Sequence, residues 1–515
     1  MIGGTSPRGL PRMNVLLLSM PDDSEHMSSI TIRMPNGALS SLAANVDPHH
    51  RVAVADLVLV PSRVRETVER LVQEHEPDVV GLSVMSFQRR TAGRVAALVR
   101  ALRPATRLVV GGYDPSLAPE AWTSEDVDFL VRGEGERTLR ELLRALERPE
   151  AGSRSLADSL GSIPGLSHRD GDRWHHNPDR GVSALEGEAI RPPDRSSRVL
   201  SGYTFLGRPV DVVETSRGCT FDCSFCSIVA MRGRSFHRYT FDRVLDDIRD
   251  ARDRGAEVLF FVDDNITLDV KRFEALCEAL VEAGLHRLRY FVQATTASIA
   301  DHAATLAPLM RRAGFRYVFL GIENVLDEDL GFLRARAKNA KREGGRRRKS
   351  ATLAAIEALH REGIYVVGGL IVGNPGDTRE AIEANLEFAR WHVDWPYIQH
   401  PTPYPGTPLS RDLAERGLIA VERPEESDGT RAVVRSEYLS ADEIEFLRWK
   451  AERWMKARHF PAALRQGPLF VLRHARAMLG HTFAGTTWKT LLGLEDERVA
   501  FARYRAIRRA QAVYL

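Results

Sequence analysis

The sequence predicts an α/β protein in three parts: an N-terminal doubly wound parallel sheet, a partial (β/α)6 barrel and a helical C-terminal region. Two observations carry the first two parts, since short apolar runs alternate with amphipathic stretches in two separate series along the chain. A third adds chemistry. Three of the four cysteines fall directly after the first strand of the second series, at the barrel end where function resides.

Taken in order, residues 1–12 read as a disordered lead-in. The first domain spans 13–150, with strand-like runs at 14–20, 52–60, 78–84, 107–112 and 128–132 and amphipathic helices at 63–75 and 91–102. Ligands of such sheets lie beyond the carboxyl ends of the strands. The loops expected there carry Ser83 and Met85, then Gly111, Gly112 and Tyr113, then Gly133 and Glu134, and their glycines let a large ligand approach the backbone. No G-x-G-x-x-G follows the first strand, so a dinucleotide reading is weak.

Residues 151–205, rich in Gly, Ser, Pro, Arg and Asp, read as a connector with a small hairpin at 165–174. The barrel is assigned to 206–410, with strands at 211–214, 258–262, 290–293, 317–322, 365–372 and 397–400. Within it the basic run 338–349 reads as a solvated loop. The region 411–515 reads as helical. Its segment 470–479 places apolar residues on one face, which packing on the barrel explains better than a membrane surface does.

A chain of 515 residues exceeds one core. Its formal charge of +3 is too small to argue for nucleic acid. The apolar run 15–20 is far too short to span a bilayer, so the cytoplasm is the simplest location.

Cys219, Cys223 and Cys226 sit in the phrase Arg-Gly-Cys-Thr-Phe-Asp-Cys-Ser-Phe-Cys. Three thiolates can hold three irons of a [4Fe-4S] cube and leave the fourth open to a small molecule, with Phe225 as an apolar plane beside it. A closed zinc site would need a fourth ligand, and no Cys or His pair stands at suitable spacing. A disulfide fits poorly with so few cysteines and no secretion signal. Cys277, at helical spacing among apolar residues, reads as core.

The Cys-x3-Cys-x2-Cys spacing with an aromatic before the third Cys resembles the radical S-adenosylmethionine (radical SAM) superfamily. Placed after the N-terminal sheet, with Val109-Val110-Gly111-Gly112 and Gly133-Glu134-Gly135-Glu136, it resembles the cobalamin-dependent (class B) radical SAM enzymes, methyltransferase type. The resemblance implies a cobalamin-binding N-terminal domain, with Ser83, Met85, Gly111, Gly112, Tyr113, Gly133 and Glu134 toward cobalamin. It also implies SAM and a [4Fe-4S] cluster as cofactors, and Cys219, Cys223 and Cys226 as the metal ligands.

By the same resemblance Asp263 and Asp264 match the position facing the methionine amino group, Glu323 the ribose-facing acid and Gly373 the turn near the adenine. Asp47 and His49 only half imitate a cobalt-ligand motif, since Val52 replaces its glycine, and they read as loop residues. The residue beneath cobalt would come from 85–88. The expected function is transfer of a methyl group to an unactivated carbon of a lipid or natural-product-type small molecule through a 5'-deoxyadenosyl radical. A flavodoxin- or ferredoxin-like electron donor is implied. The alternative is an oxidoreductase or cyclase with the same cofactors and no methyl transfer.

Overall fold

The computed structural model describes residues 12–21, 31–147, 155–171, 173–182, 185, 190–343, 346–510 and 513–515. The expected lead-in therefore lies, apart from Arg12, outside the described residues. In the first domain β1 (Asn14–Ser19), β3 (Arg51–Asp56), β4 (Val79–Ser83), β5 (Arg107–Gly111) and β6 (Phe129–Val131) form a parallel sheet in the order β3-β1-β4-β5-β6. β2 (Ile32–Arg33) leaves this sheet for the other one. The order reverses between β1 and β4, the switch point at which doubly wound sheets of this order bind ligands.

Period-2 alternation explains why both faces are covered. Leu16 and Leu18 pack with helices Val64–His75 and Arg89–Leu102, while Val15 and Leu17 pack on the other face with Gly37–Asn45 and Gly135–Glu147. Fully burying such a side chain contributes about 1.5–3 kcal/mol.

The hairpin expected inside the connector, β7 (Leu166–Asp170) with β8 (Arg173–His176), joins the first sheet antiparallel along β6. The connector is also bound by charge. Arg195 reaches Asp211, Asp247 and Asp250, and Arg198 bridges Ser40 of the first domain to Asp211.

The second sheet contains β9 (Thr204–Phe205), β10 (Arg208–Val213), β13 (Val258–Phe261), β14 (Arg289–Thr295), β15 (Phe315–Glu323), β18 (Tyr365–Ile371) and β19 (Trp395–Gln399). Six of its eight strands, β10-β13-β14-β15-β18-β19, are parallel and neighbours in that order, giving the curled half-barrel that the second series of apolar runs predicts. One face packs against helices around Phe261, Tyr290 and Phe315, and the other carries Val212, Phe260, Phe291 and Tyr317. Two short antiparallel pairs complete the strands, β11 (Ser216–Arg217) with β12 (His237–Arg238), which brackets the cysteine loop, and β16 (Ala340–Glu343) with β17 (Arg346–Ser350). The run 338–349 is thus partly a hairpin, and its first residue, Lys338, is not solvated but largely buried. Cys277 is fully buried in the barrel core.

His400, just beyond β19, is 3% exposed, and its Nδ1–H donates to the Val372 carbonyl at 2.9 Å. Burial, helped by the charge of Arg448, pushes its pKa from 6.5 down to about 3. A depressed folded-state value contributes stability that is complete above the unfolded pKa and is lost as pH falls toward the folded one. We expect this residue alone to cost about 2 kcal/mol between about pH 7 and pH 5. Urea denaturation at the two pH values checks it, since His400→Gln should flatten that part of the slope.

The C-terminal region is helical. Helix Ala441–Gln466 sends Ile444, Leu447 and Met455 into the barrel core, and Glu497–Ala510 packs Phe501 on Phe446 and Trp449. Helix Pro468–Thr482 buries Phe470, Val471 and Met478 against Leu206, Trp395 and Leu464, which is the barrel packing expected for that face. No helix among the described residues is long and apolar enough to cross a membrane.

Candidate functional site

The cysteine loop runs from β11 to helix Ser227–Arg232, with Cys226 at the start of that helix. Gly218 has φ +92°, and a Cβ there would collide with the Ser235 carbonyl oxygen, so only glycine lets the chain turn into Cys219. The loop is stitched to the barrel by Ser224 N–H to the Leu333 carbonyl at 3.0 Å and by Leu409 N–H to the Ser224 carbonyl at 2.9 Å. Phe225 packs among Leu330, Leu333 and Ala335.

All three thiols are free. Burial pushes Cys223 up to about 12 and raises Cys226, with the Lys338 ammonium pulling both the other way. Buried thiols that resist ionisation in the bare protein become thiolates once a metal takes the sulfur. Three sulfur donors on one loop, with no His beside them in the sequence, fit a cluster with one open iron.

The Asp263-Asp264-Asn265 phrase beyond β13 turns back on this loop. Asp263, 1% exposed, accepts from Thr215 N–H, Thr215 Oγ and Ser216 Oγ at 3.1, 2.6 and 2.5 Å; burial raises its pKa to about 6 against those bonds. Asp264 accepts from Gly218 N–H at 2.7 Å and from Arg232 at 2.9 Å. Asn265 lies 3.9 Å from the Cys219 sulfur.

Glu323 ends β15 with φ +61°, a conformation costly for a non-glycine residue and typical of functional sites. It accepts from Lys338 Nζ at 2.5 Å, and the same ammonium lies 5.4 Å from the Phe225 ring centroid. The sequence reading missed Lys338 because its basic run suggests solvent. Gly373, after β18, donates its N–H to Asp377 at 2.7 Å.

A cavity of about 550 Å3 opens between the carboxyl ends of the two sheets. Its walls include Ser83, Met85, Gly111, Gly112, Tyr113, Gly133 and Glu134 from the first domain and Glu214, Arg217 and Arg232 from the barrel. Its volume is that of a ligand cleft. Gly112 has φ +103°, and a Cβ there would lie 2.8 Å from the Val84 carbonyl oxygen, so the loop can close only around glycine. Tyr113 sits close enough to the barrel for Asp264, Arg232 and Cys226 to influence it; burial first, then Asp264, raises its pKa.

No histidine lines this cavity among the described residues. His49 and His50 stand before β3, at the amino end of the sheet, where both approach Glu147. Met13 N–H donates to His50 Nδ1 at 3.1 Å, which leaves the His50 proton on Nε2 facing Glu147. Asp47 is held by Arg144.

Arg217, the residue before Gly218, joins the two halves. Its buried guanidinium bonds Glu136 at 2.8 Å and Glu214 at 2.8 Å, and lies 3.6 Å from Glu134. Burial works against the charges of Glu136 and Glu214, yet Arg217 outweighs it at Glu136, whose carboxyl stays below its ordinary range, and does not at Glu214, which is raised. Its adjacency to Cys219 is the signal that could have singled it out.

Comparison with known proteins agrees with this division. The model of the B12 binding domain matches residues 29–143 and that of the Radical SAM superfamily matches 213–389. The chain is 26% identical over 444 residues to an uncharacterized methyltransferase, PH0819, of Pyrococcus horikoshii, covering 85% of this chain and 91% of that one. It is 26% identical over 396 residues to the anaerobic magnesium-protoporphyrin IX monomethyl ester cyclase of Cereibacter sphaeroides, covering 74% of this chain and 59% of the relative. Among solved structures, the cobalamin-dependent S-adenosylmethionine radical enzyme OxsB, with aqua-cobalamin and S-adenosylmethionine bound, superposes with a TM-score of 0.63 at 17% identity, over 98% of this chain and 71% of that one. With a B12 binding domain, a radical SAM module and a cavity shared between them, the chain belongs to the cobalamin-binding radical SAM enzymes, whose cofactors are a [4Fe-4S] cluster, SAM and cobalamin.

Proposed function

We propose that this enzyme transfers a methyl group to an unactivated carbon of a lipid or natural-product-type small molecule. The observation that carries this reading is the shared cavity. Loops that would face cobalamin and the loop next to the cluster ligands line one space, so a substrate atom can be presented to both. The name of the Pyrococcus relative, which is matched over most of both chains, supports methyl transfer. When bound, the cluster and SAM supply a 5'-deoxyadenosyl radical and cobalamin supplies the methyl-carrying metal.

The chain's own residues would bind and orient. In this reading Cys219, Cys223 and Cys226 would hold the cluster, and Asp263 and Asp264, which also brace their loop, would face the methionine amino group of SAM. Lys338 and Glu323 offer opposite charges to the amino-acid and ribose parts of SAM, with Gly373 near the adenine. Ser83, Gly111, Gly112, Tyr113, Gly133 and Glu134 would hold cobalamin, and the residue beneath cobalt would come from Met85 to Gln88. A flavodoxin- or ferredoxin-like protein would deliver the electron.

A second reading, an oxidoreductase or cyclase without methyl transfer, is supported by the cyclase relative. The two readings separate on products. Anaerobically reconstituted enzyme incubated with SAM, reductant and substrate-containing extract should give 5'-deoxyadenosine together with S-adenosylhomocysteine. Deoxyadenosine alone would reject methylation and leave the second reading.

A further inference from the structure

Helix Pro468–Thr482 has two unlike faces. One is buried on the barrel, as described; the other leaves Leu469 78%, Leu472 67% and Leu479 55% exposed. At 100° per residue, Arg473 and Arg476 fall on that same outer face, between the leucines, and both are exposed. The chain then turns through Trp488, Leu491, Leu492 and Leu494, each more than half exposed, with Lys489 among them. Soluble surfaces scatter such residues singly, and a run of this kind marks an interaction site.

Charge decides what the site fits. From residue 456 to residue 494 the chain carries six Lys or Arg and no Asp or Glu, whereas its overall acidic content, 69 in 515, would place about five there. Arg473, Arg476 and Lys489 make no ion pair among the described residues. A second copy of the chain would bring Arg473, Arg476 and Lys489 against the same three cations, so self-association on this face is opposed by its own field. An anionic lipid surface meets every feature: exposed leucines for the acyl boundary, a tryptophan for the headgroup level, and basic side chains between them for the phosphates.

We infer that the outer face of this helix and the following turn dock the enzyme peripherally on an anionic membrane surface. The inference does not depend on which reaction the cavity performs. Packing on the barrel, as the sequence reading expects, accounts for the inner face of the helix and leaves the outer one uncovered.

The test is flotation of the full-length holoenzyme with vesicles of phosphatidylcholine alone or of phosphatidylcholine mixed with phosphatidylserine. The protein should float with the anionic vesicles, remain behind with the neutral ones and be released by salt. Combining R473Q with R476Q should weaken partitioning about 30-fold, since each basic side chain near such a surface contributes about 1 kcal/mol. L472E with L479E should abolish it. Both pairs of substitutions should leave the thermal midpoint and SAM cleavage unchanged, because these side chains point away from the core. Failure to float with either vesicle, equal flotation with both, or a dimer in light scattering that L472E with L479E dissolves would each overturn the inference.

Discussion

Cys223→Ala is expected to yield a folded protein that forms no 5'-deoxyadenosine and holds less iron and sulfide after anaerobic reconstitution. Three sulfurs on one short loop leave no spare ligand: Cys277, the fourth cysteine, is fully buried in the barrel core. The fold should survive because the loop's anchors lie elsewhere, in Ser224 against Leu333 and Leu409 and in Asp264 against Gly218. Removing a thiol whose burial opposes ionisation costs the apoprotein little. Iron and sulfide assays with product chromatography check the expectation, and full deoxyadenosine formation by the variant would show that Cys223 is not a ligand.

Arg217→Gln should be the most damaging change that leaves every proposed ligand in place. It removes the one guanidinium shared by Glu136 and Glu214, with Glu134 nearby, and strips a buried charge network of its cation. Breaking a buried pair from one side costs about 3–5 kcal/mol. The deficit should shrink as pH falls, because a carboxyl left without its cation has a raised folded-state pKa and is buried at less cost once protonated. Arg217 touches both the loop before Cys219 and the first domain, so the variant should also lose cobalamin on gel filtration. Thermal denaturation at two pH values and cobalamin absorbance report the two effects separately. A variant as stable as the parent at neutral pH would mean that the carboxylates find other partners.

The parts of the molecule legible in the sequence are those fixed by local pattern. The six barrel strands and five parallel N-terminal strands each announce themselves as apolar runs, and the cysteine spacing lies within eight residues. What escaped depends on distance along the chain. Arg217 meets Glu136 across 81 positions, and Lys338 is turned inward by an acid fifteen residues earlier in a strained conformation, so its basic neighbours gave a misleading impression of solvent. Asp263 and Asp264 illustrate a subtler gap. Their place at a strand end is readable, but their hydrogen bonds to Thr215, Ser216 and Gly218 emerge only when two strand ends are side by side.

β2, although it belongs in sequence to the first domain, is hydrogen-bonded to β9 at the edge of the barrel sheet, and Tyr203 beside β9 bonds back to Asp56 at the end of β3. The two halves are thus laced together along the β9 edge of their junction, like a book sewn through its spine. Wide hinge opening would have to unzip a strand pair, so molecules entering or leaving the space between the cofactors are steered toward small displacements of loops at the rim, and the spacing across that space is inherited from the backbone itself.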